Sequence, residues 1–336
     1  MPLPMGKAYH VAIVGATGAV GAELLRVVER RDFPVADLRL LASARSAGKR
    51  LAFRESQFAV EELNERSFTG IDLAFFSAGV ELSKSFAPVA TDAGAIVIDN
   101  SSAFRMNDDV PLVIPEINPD DARSHQGVIA NPNCTTAVAL MALYPLHRAF
   151  GLKRVFGSSY QAVSGSGARA IEELKEQVAV SVRGGETTAK IFPHPIAFNI
   201  LPHVDRFLED GYTREEMKFQ NEGRKIMHLP NFRASITCAR VPVYRAHSVA
   251  MSAEFERPVS VDAAREILAR APGLDLLDDQ SSDCYPTPLA VAGKDNCAVG
   301  RLRKDSAFEN GLALWVSGDQ LLKGAALNAV QIAELL

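Results

Sequence analysis

Residues 129–140 read IANPNCTTAVAL, a single thiol in a short polar knot between two apolar runs. The run before it, "GVIA", has the texture of a short strand, and the Ala-, Val- and Leu-rich run after it that of a helix. Asn133 is a suitable N-cap, which makes Cys134 the first residue of that helix. The partial positive charge of a helix N-terminus stabilises a thiolate. A free cysteine of pKa ~8.5 is mostly protonated at neutral pH, and a fall of ~1.5 units leaves roughly half of it as the nucleophile. The other reading of Cys134 is a small, inert residue packed at a helix start. Local sequence does not choose between the two.

A second cluster able to do chemistry is the glycine turn "GATGAVG", with Gly15, Gly18 and Gly21 at intervals of three. It follows the apolar run "YHVAIVG" and opens the helical pattern "AVGAELLRVVERR". That context suits a pyrophosphate cradle, in which glycines admit the phosphates and the helix N-terminus offers unpaired N–H groups. The candidate contacts are Gly15, Thr17, Gly18, Ala19 and Val20; a tight turn without a ligand is the alternative. NAD enzymes of this type end the second strand with an acid that binds the ribose 2′-hydroxyl. Here that place holds "ASARSAGK", with Ser43, Arg45, Ser46 and Lys49, a set suited to a 2′-phosphate. NADP(H) is the expected cofactor, with a solvated loop as the other reading of any one of these residues.

Arg240, in "CARVPV", can grip a carboxylate bidentately, and its apolar neighbours weigh against a surface ion pair. Cys238, two residues earlier on the same predicted strand, shares its face, where core packing is the plain reading. In "YTREEMKFQ", Thr213 and Glu216 form a capping box, so Glu216 serves the helix. Glu215 and Lys218 are three apart and share a helix face, as a solvated pair or as ligands. The seven histidines cannot be ranked by spacing, although His194 in "FPHP" and His203 in "LPHV" sit among prolines like loop or packing residues.

The elements that must position these groups follow from the apolar patterning. "YHVAIVG", "LRLLAS", "IDLAFFSAG" and "AIVIDNSS" are buried-strand runs, with helical segments such as "ELSKSFAPVATDAG" between some of them. This alternation predicts an α/β fold with a doubly wound, Rossmann-like parallel sheet whose ligand edge lies at the carboxyl ends of its strands. From the middle onward, "KRVFGSSYQAV", "ASITCARVPV" and "HSVAMSAEFE" are longer and alternating, as in an antiparallel or mixed sheet with one exposed face. The amphipathic helices "GARAIEELKEQVAV" and "SVDAAREILARA" accompany them. The expected division is a nucleotide domain over residues 1–133, a C-terminal α+β domain over 134–318, and a closing helix over 319–336 that packs back on the first.

The 336 residues are 47% hydrophobic and 23% charged, enough for two domains with sizeable cores. The formal charge of −4 is dispersed, and no basic stripe with interleaved aromatics points to nucleic acid. Four cysteines without a CxxC pair make no disulfide framework and no metal site. Neither a signal-peptide stretch nor a run of ~18 apolar residues occurs. A soluble cytoplasmic enzyme without membrane contact is the expectation; a second methionine, Met5, leaves the initiating residue open.

The motifs "GATGAVG", "NSSAFR", "NPNCTT", "YQAVSGSG", "EEMK" and "RVPVYRAH" occur in this order. Together they resemble the aspartate-β-semialdehyde dehydrogenases, from about Val11 to the C-terminal helix. The resemblance implies NADPH-dependent reductive dephosphorylation of aspartyl phosphate to aspartate semialdehyde and phosphate, in lysine, threonine and methionine synthesis. It places the nucleophile on Cys134, with Asn133 beside the developing oxyanion, the acid/base on His247, and a hydrogen-bonding amide near sulfur on Gln161. It gives Arg240 the substrate carboxylate, Glu215 the ammonium group, and Arg105 and Lys218 the phosphate. Ser77, Ala78, Gly79, Ser164, Gly165 and Gln320 would line the cofactor. A homodimer or dimer of dimers, joined through the second domain, is implied as well.

Three rivals remain. The N-acetyl-γ-glutamyl-phosphate reductases share the plan but usually carry a glycine before the cysteine, where this chain has "NPNC". A non-catalytic NADP-binding paralogue would be marked by loss of the nucleophile. A cysteine hydrolase leaves the glycine turn unexplained.

Overall fold

The computed structural model describes residues 8–336; Met5 lies outside them. The described residues divide into two compact units, one running up to Asn133 and resuming at Ala325–Leu336, the other spanning Cys134–Gly324.

The first unit opens with β1 (Tyr9–Val14), α1 (Ala19–Arg30) and β2 (Val35–Ala42). It continues with β3 (Arg50–Phe53), β4 (Ser56–Glu62), β5 (Leu73–Phe76), α2 (Val80–Asp92), β6 (Ile96–Asp99) and β7 (Val128–Ala130). The sheet order is β3-β4-β2-β1-β5-β6-β7. All neighbours are parallel except β3 and β4, an antiparallel hairpin added at one edge. The apolar runs mark the buried strands: every residue of β5 and β6 is buried. The hairpin escapes this signal because most of β4 is exposed and only Val60 in it is buried.

The second unit begins with α3 (Cys134–Phe150), which leads into β8 (Leu152–Gln161) and α4 (Ala168–Val182). Then follow α5 (Arg214–Ile226), β9 (Arg233–Arg240), β10 (His247–Phe255), α6 (Val261–Leu268) and β11 (Leu274–Leu276). A short α7 (Pro288–Val291) precedes β12 (Cys297–Lys304) and β13 (Gly311–Gly318). The mixed sheet runs β11-β12-β13-β10-β8-β9, with β10 antiparallel to both its neighbours and β8 parallel to β9. Helix α3 packs on β8, β10 and β13, α5 on β9, and α6 on β12. Between the strand residues that face these helices stand Phe156, Ser158, Tyr160, Ser252 and Trp315, each partly or well exposed.

The closing segment is less regular than its leucine spacing predicts. A π-turn at Leu322–Ala326 precedes α8 (Leu327–Ala333), which packs on α1 and β6 of the first unit. Residues 319–324 stay with the second unit instead of joining that helix. The reason lies in long-range contacts within that unit: the Asp319 carboxylate accepts from Arg245 Nε at 2.6 Å and from the Gly293 amide at 2.6 Å. Among the described residues no helix is long and apolar enough to cross a membrane.

Candidate active site

Strands β8 and β9 lie in register so that Gln161 pairs with Arg240 at their carboxyl ends. Both side chains are buried. Gln161 Nε2 donates to Ser159 Oγ at 3.1 Å and to Glu215 Oε1 at 3.3 Å. Arg240 Nη1 donates to the Ala162 carbonyl at 2.7 Å, and its guanidinium lies 5.9 Å from the centre of the Phe192 ring. Burial lowers the pKa of Arg240, while the charges of Glu215, Cys134 and Cys238 draw it back up. A planar cation is thus fixed in orientation and shielded from bulk water, as recognition of a carboxylate requires.

His247, the first residue of β10, is wholly buried. Burial drives its pKa down to about 3; the Arg240 charge adds to this and Glu215 partly opposes it. Its Nδ1 accepts from the Ala162 amide at 3.1 Å, so in the neutral ring the proton sits on Nε2. Among the described residues that Nε2 has no hydrogen-bond partner. Gly165 borders the same spot: a β-carbon there would stand 2.8 Å from Arg240 Nη1 and 3.2 Å from His247 Nε2. Only a residue without a side chain lets the turn at Val163–Ser166 come this close.

Cys134 begins α3 and is partly exposed, with buried Asn133 directly before it. A β-carbon on Gly324 would come within 2.7 Å of Cys134 Cβ, so the π-turn presses bare backbone against the thiol-bearing residue. None of the four cysteines forms a disulfide. Cys238, opposite Ser159 in the sheet, is fully buried, and burial together with Glu215 pushes its thiol well above the ordinary range. It therefore stays protonated, in keeping with a packing role.

On α5 the capping box forms as the spacing predicts, with Thr213 and Glu216 bonding each other's amides. Glu216 also accepts from the Cys238 amide at 2.9 Å, tying the helix to β9. Glu215 is buried, and Lys218 Nζ donates to its Oε2 at 3.0 Å and to Asp205 Oδ2 at 2.9 Å. Burial alone would lower the pKa of Lys218, but the two carboxylates outweigh it and raise the pKa. Asp205 had no sequence signal, since the loop that carries it is irregular. Arg105 belongs to the first unit, buried, donating from Nε to the Asn131 carbonyl at 2.8 Å and from Nη2 to that of Asn100 at 2.9 Å. His203 stacks on Phe207 and His194 is exposed.

In the first unit, a cavity of about 440 Å³ opens at the carboxyl ends of β1, β2 and β5. Gly15, Thr17, Gly18, Ser43, Ser77 and Ala78 line it. Gly15 has φ +82°, and a β-carbon there would meet the Ser77 carbonyl oxygen at 2.8 Å, so only glycine lets this turn pack against the end of β5 while lining the cavity. Ala19 and Val20 form the first turn of α1, which has no acidic side chain there to repel phosphate. Gly79, at φ +92°, precedes α2. Arg45 is exposed on the 3₁₀ turn Ala44–Ser46, whereas Ser46 is buried and accepts from Thr17 Oγ1 at 3.3 Å. Glu62, Leu63, Leu82 and Phe86 also line it and escaped sequence reading. Glu62 and Leu63 follow from the hairpin, whose alternation was too weak to mark it. The residues present thus fit a dinucleotide.

Residues 10–125 match the family described as "Semialdehyde dehydrogenase, NAD binding domain", and residues 143–323 match "Semialdehyde dehydrogenase, dimerisation domain". The aspartate-semialdehyde dehydrogenase of Aquifex aeolicus is 53% identical, with 98% of each chain covered. That of Bacillus subtilis is 46% identical over 99% of this chain and 98% of its own. The crystal structure of aspartate semialdehyde dehydrogenase II from Vibrio cholerae, complexed with ASA, superposes with a TM-score of 0.96 at 42% identity, covering 98% of both chains. The chain belongs to the aspartate-semialdehyde dehydrogenase family. As a semialdehyde dehydrogenase it is an oxidoreductase with an NAD(P)-binding domain and a dimerisation domain. Ser164 and Gln320, both buried, lie in the second of these domains and touch one another, Gln320 Nε2 donating to Ser164 Oγ.

Proposed function

We propose that this enzyme reduces L-4-aspartyl phosphate to L-aspartate 4-semialdehyde and phosphate through a thioester on Cys134, with NADPH as the preferred reductant. The observation that carries this reading is a partly exposed thiol at the start of α3, in the unit whose buried Arg240, Gln161, Glu215 and His247 form one connected polar cluster.

The Cys134 thiolate attacks the acyl carbon, and the carbon–oxygen bond to phosphate breaks with its electron pair leaving on phosphate. Helix N–H groups and Asn133 support the oxyanion of this step. The nicotinamide cofactor, when bound, supplies hydride to the resulting thioester. The tetrahedral oxyanion so formed faces a proton on His247 Nε2. A ring held neutral with that tautomer can lend the proton and recover it as the carbon–sulfur bond breaks and sulfur takes back its electrons. Arg240 holds the substrate carboxylate, Glu215 its ammonium group, and Lys218 with Arg105 the phosphate. Gln161 hydrogen-bonds the substrate near sulfur, and Gly165 leaves room for it.

The preference for NADP(H) rests on the absence of an acid at the end of β2 and on Arg45 beside Ser43 there. The Vibrio cholerae relative, solved with ASA, supports the semialdehyde as ligand. The enzyme would act in the cytoplasm, in lysine, threonine and methionine synthesis. It would assemble as a dimer or a dimer of dimers.

The test is an assay of aspartate semialdehyde plus phosphate with NADP or NAD, run beside N-acetylglutamate semialdehyde, with mass spectrometry of Cys134. Turnover with the first substrate, a higher kcat/KM for NADP and an acyl adduct on Cys134 are expected. Cys134→Ser should keep cofactor binding and lose nearly all activity. Full activity of that variant would rule out the covalent route.

A further inference from the structure

We propose that Gln320 is a positioning residue for this reaction: its amide fixes the backbone of Ala246 and the Ser164 turn, and through them seats the His247 imidazole. The proposal rests on the reading of His247 as the acid/base.

Gln320 is buried two residues after β13 ends, and both ends of its amide are engaged inside its own domain. Oε1 accepts from the Ala246 amide at 2.7 Å, and Nε2 donates to Ser164 Oγ. Ala246 can only donate at that nitrogen, so the orientation of the Gln320 amide is determined rather than arbitrary. Ala246 is fully buried and holds φ +75°, a conformation that a residue with a β-carbon adopts only under constraint. It is the residue immediately before His247, so its backbone angle sets where β10 and its first side chain begin.

The other contact of that imidazole leads to the same place. His247 Nδ1 reads the Ala162 amide, and Ala162 leads directly into the turn that carries Ser164 and Gly165. Gln320 spans the two segments that hold the ring: the backbone entering it and the turn beside it. Asp319, next in the chain, grips the same connection by accepting from Arg245 at 2.6 Å. A few residues on, Gly324 abuts Cys134, and its amide donates to the Asp319 carbonyl at 3.2 Å. One short turn therefore sets nucleophile and imidazole from a common base. The resemblance drawn from sequence gives Gln320 to the cofactor, and the two roles differ in what they make kinetics do.

The full-length enzyme is compared with Gln320→Met, His247→Ala and the double variant, with Gln320→Glu as the control that keeps an acceptor for Ala246. Gln320→Met should lower kcat roughly tenfold or more while the KM for NADP moves less than about threefold, and it should cost nothing further in the His247→Ala background. Gln320→Glu should stay closer to wild type. In histidine-labelled protein, the ring nitrogen shifts of His247 should differ between wild type and Gln320→Met. If Gln320→Met does not fold, Gln320→Asn, whose amide stops one methylene short of Ala246, replaces it. A raised NADP KM with kcat intact makes Gln320 a cofactor contact and overturns the proposal. So does an equal loss in both backgrounds, or an unchanged His247 spectrum. Full activity of His247→Ala alone would instead remove the acid/base reading, and the ring shifts would still decide whether Gln320 seats the imidazole.

Discussion

Arg240 shows how much a single side chain gains from its surroundings. Its guanidinium is buried, hydrogen-bonded to Ala162 and set over Phe192, so its plane is fixed before any substrate arrives. Arg240→Lys replaces a planar fork with a point charge. Substrate kcat/KM is expected to fall at least about a hundredfold, the scale of a charged hydrogen-bond pair, with the cofactor constant little changed. Steady-state kinetics in both substrates check this, and an effect confined to the cofactor would end the carboxylate assignment. His247 supports a prediction of another kind. Its folded pKa, about 3, lies below the ordinary 6.5, so between those values the unfolded chain binds a proton that the folded chain does not. Folding stability must then decrease as pH falls through that window. The slope this one group adds is at most about 1.4 kcal/mol per pH unit. Denaturant unfolding at pH 7 and pH 5 should show a smaller acid loss in His247→Gln than in wild type; equal losses would show that the ring is not held neutral.

At the scale of elements, the start of α3 and the π-turn meet at Cys134, the proposed nucleophile. A methyl group on Gly324 would sit 2.7 Å from Cys134 Cβ, 3.1 Å from its Cα and 3.4 Å from Gln320 Cβ, atoms held close to the backbone that have little freedom to yield. Gly324→Ala should therefore displace Cys134, destabilise the fold by roughly 1–3 kcal/mol and, if Cys134 is the nucleophile as proposed, lower kcat more than KM. Thermal unfolding beside burst kinetics of acyl transfer would measure both, and wild-type values for each would show that the turn has room to move. A second element works more quietly. Buried Glu173 and Gln177 on α4 accept from the amides of Lys190, Ile191, Ile196 and Ala197. They pin the irregular segment that carries Phe192, so an α4 carboxylate and amide support from a distance the ring over which Arg240 lies.

At the scale of the molecule, the second domain packs α3, α5 and α6 on its sheet and sets the short α7 against β13, while Phe156, Ser158 and Tyr160 on the other face of β8 stay partly or well exposed. Phe156, about half exposed, stands on that face near Phe308, and the Tyr160 ring lies tilted beside Trp315. A domain of the dimerisation family with apolar and aromatic side chains on an open sheet is expected to pair there with a second copy. Sedimentation should give twice the chain mass, and Phe156→Glu should shift the protein toward monomer at micromolar concentration. A dimer unaffected by that charge would place the interface elsewhere.

The sequence by itself determined the parallel sheet, the glycine turn and the place of Cys134 at a helix start, because each is written in contiguous residues. An apolar run, a glycine needing φ > 0 and an N-terminal helix signal all act over a few positions. It also carried enough spaced motifs to mark the family. It did not show the β3–β4 hairpin, since an exposed edge strand needs little apolar patterning. Nor did it rank seven histidines, or show that Lys218 is shared with Asp205. Those outcomes depend on side chains brought together from distant positions, and a desolvated ring or a three-way ion cluster exists only once the chain has closed around it. The same holds for Gln320, whose amide meets residues 74 and 156 positions away. Local propensity decides which elements form; burial and hydrogen bonding between them decide what each polar side chain can do.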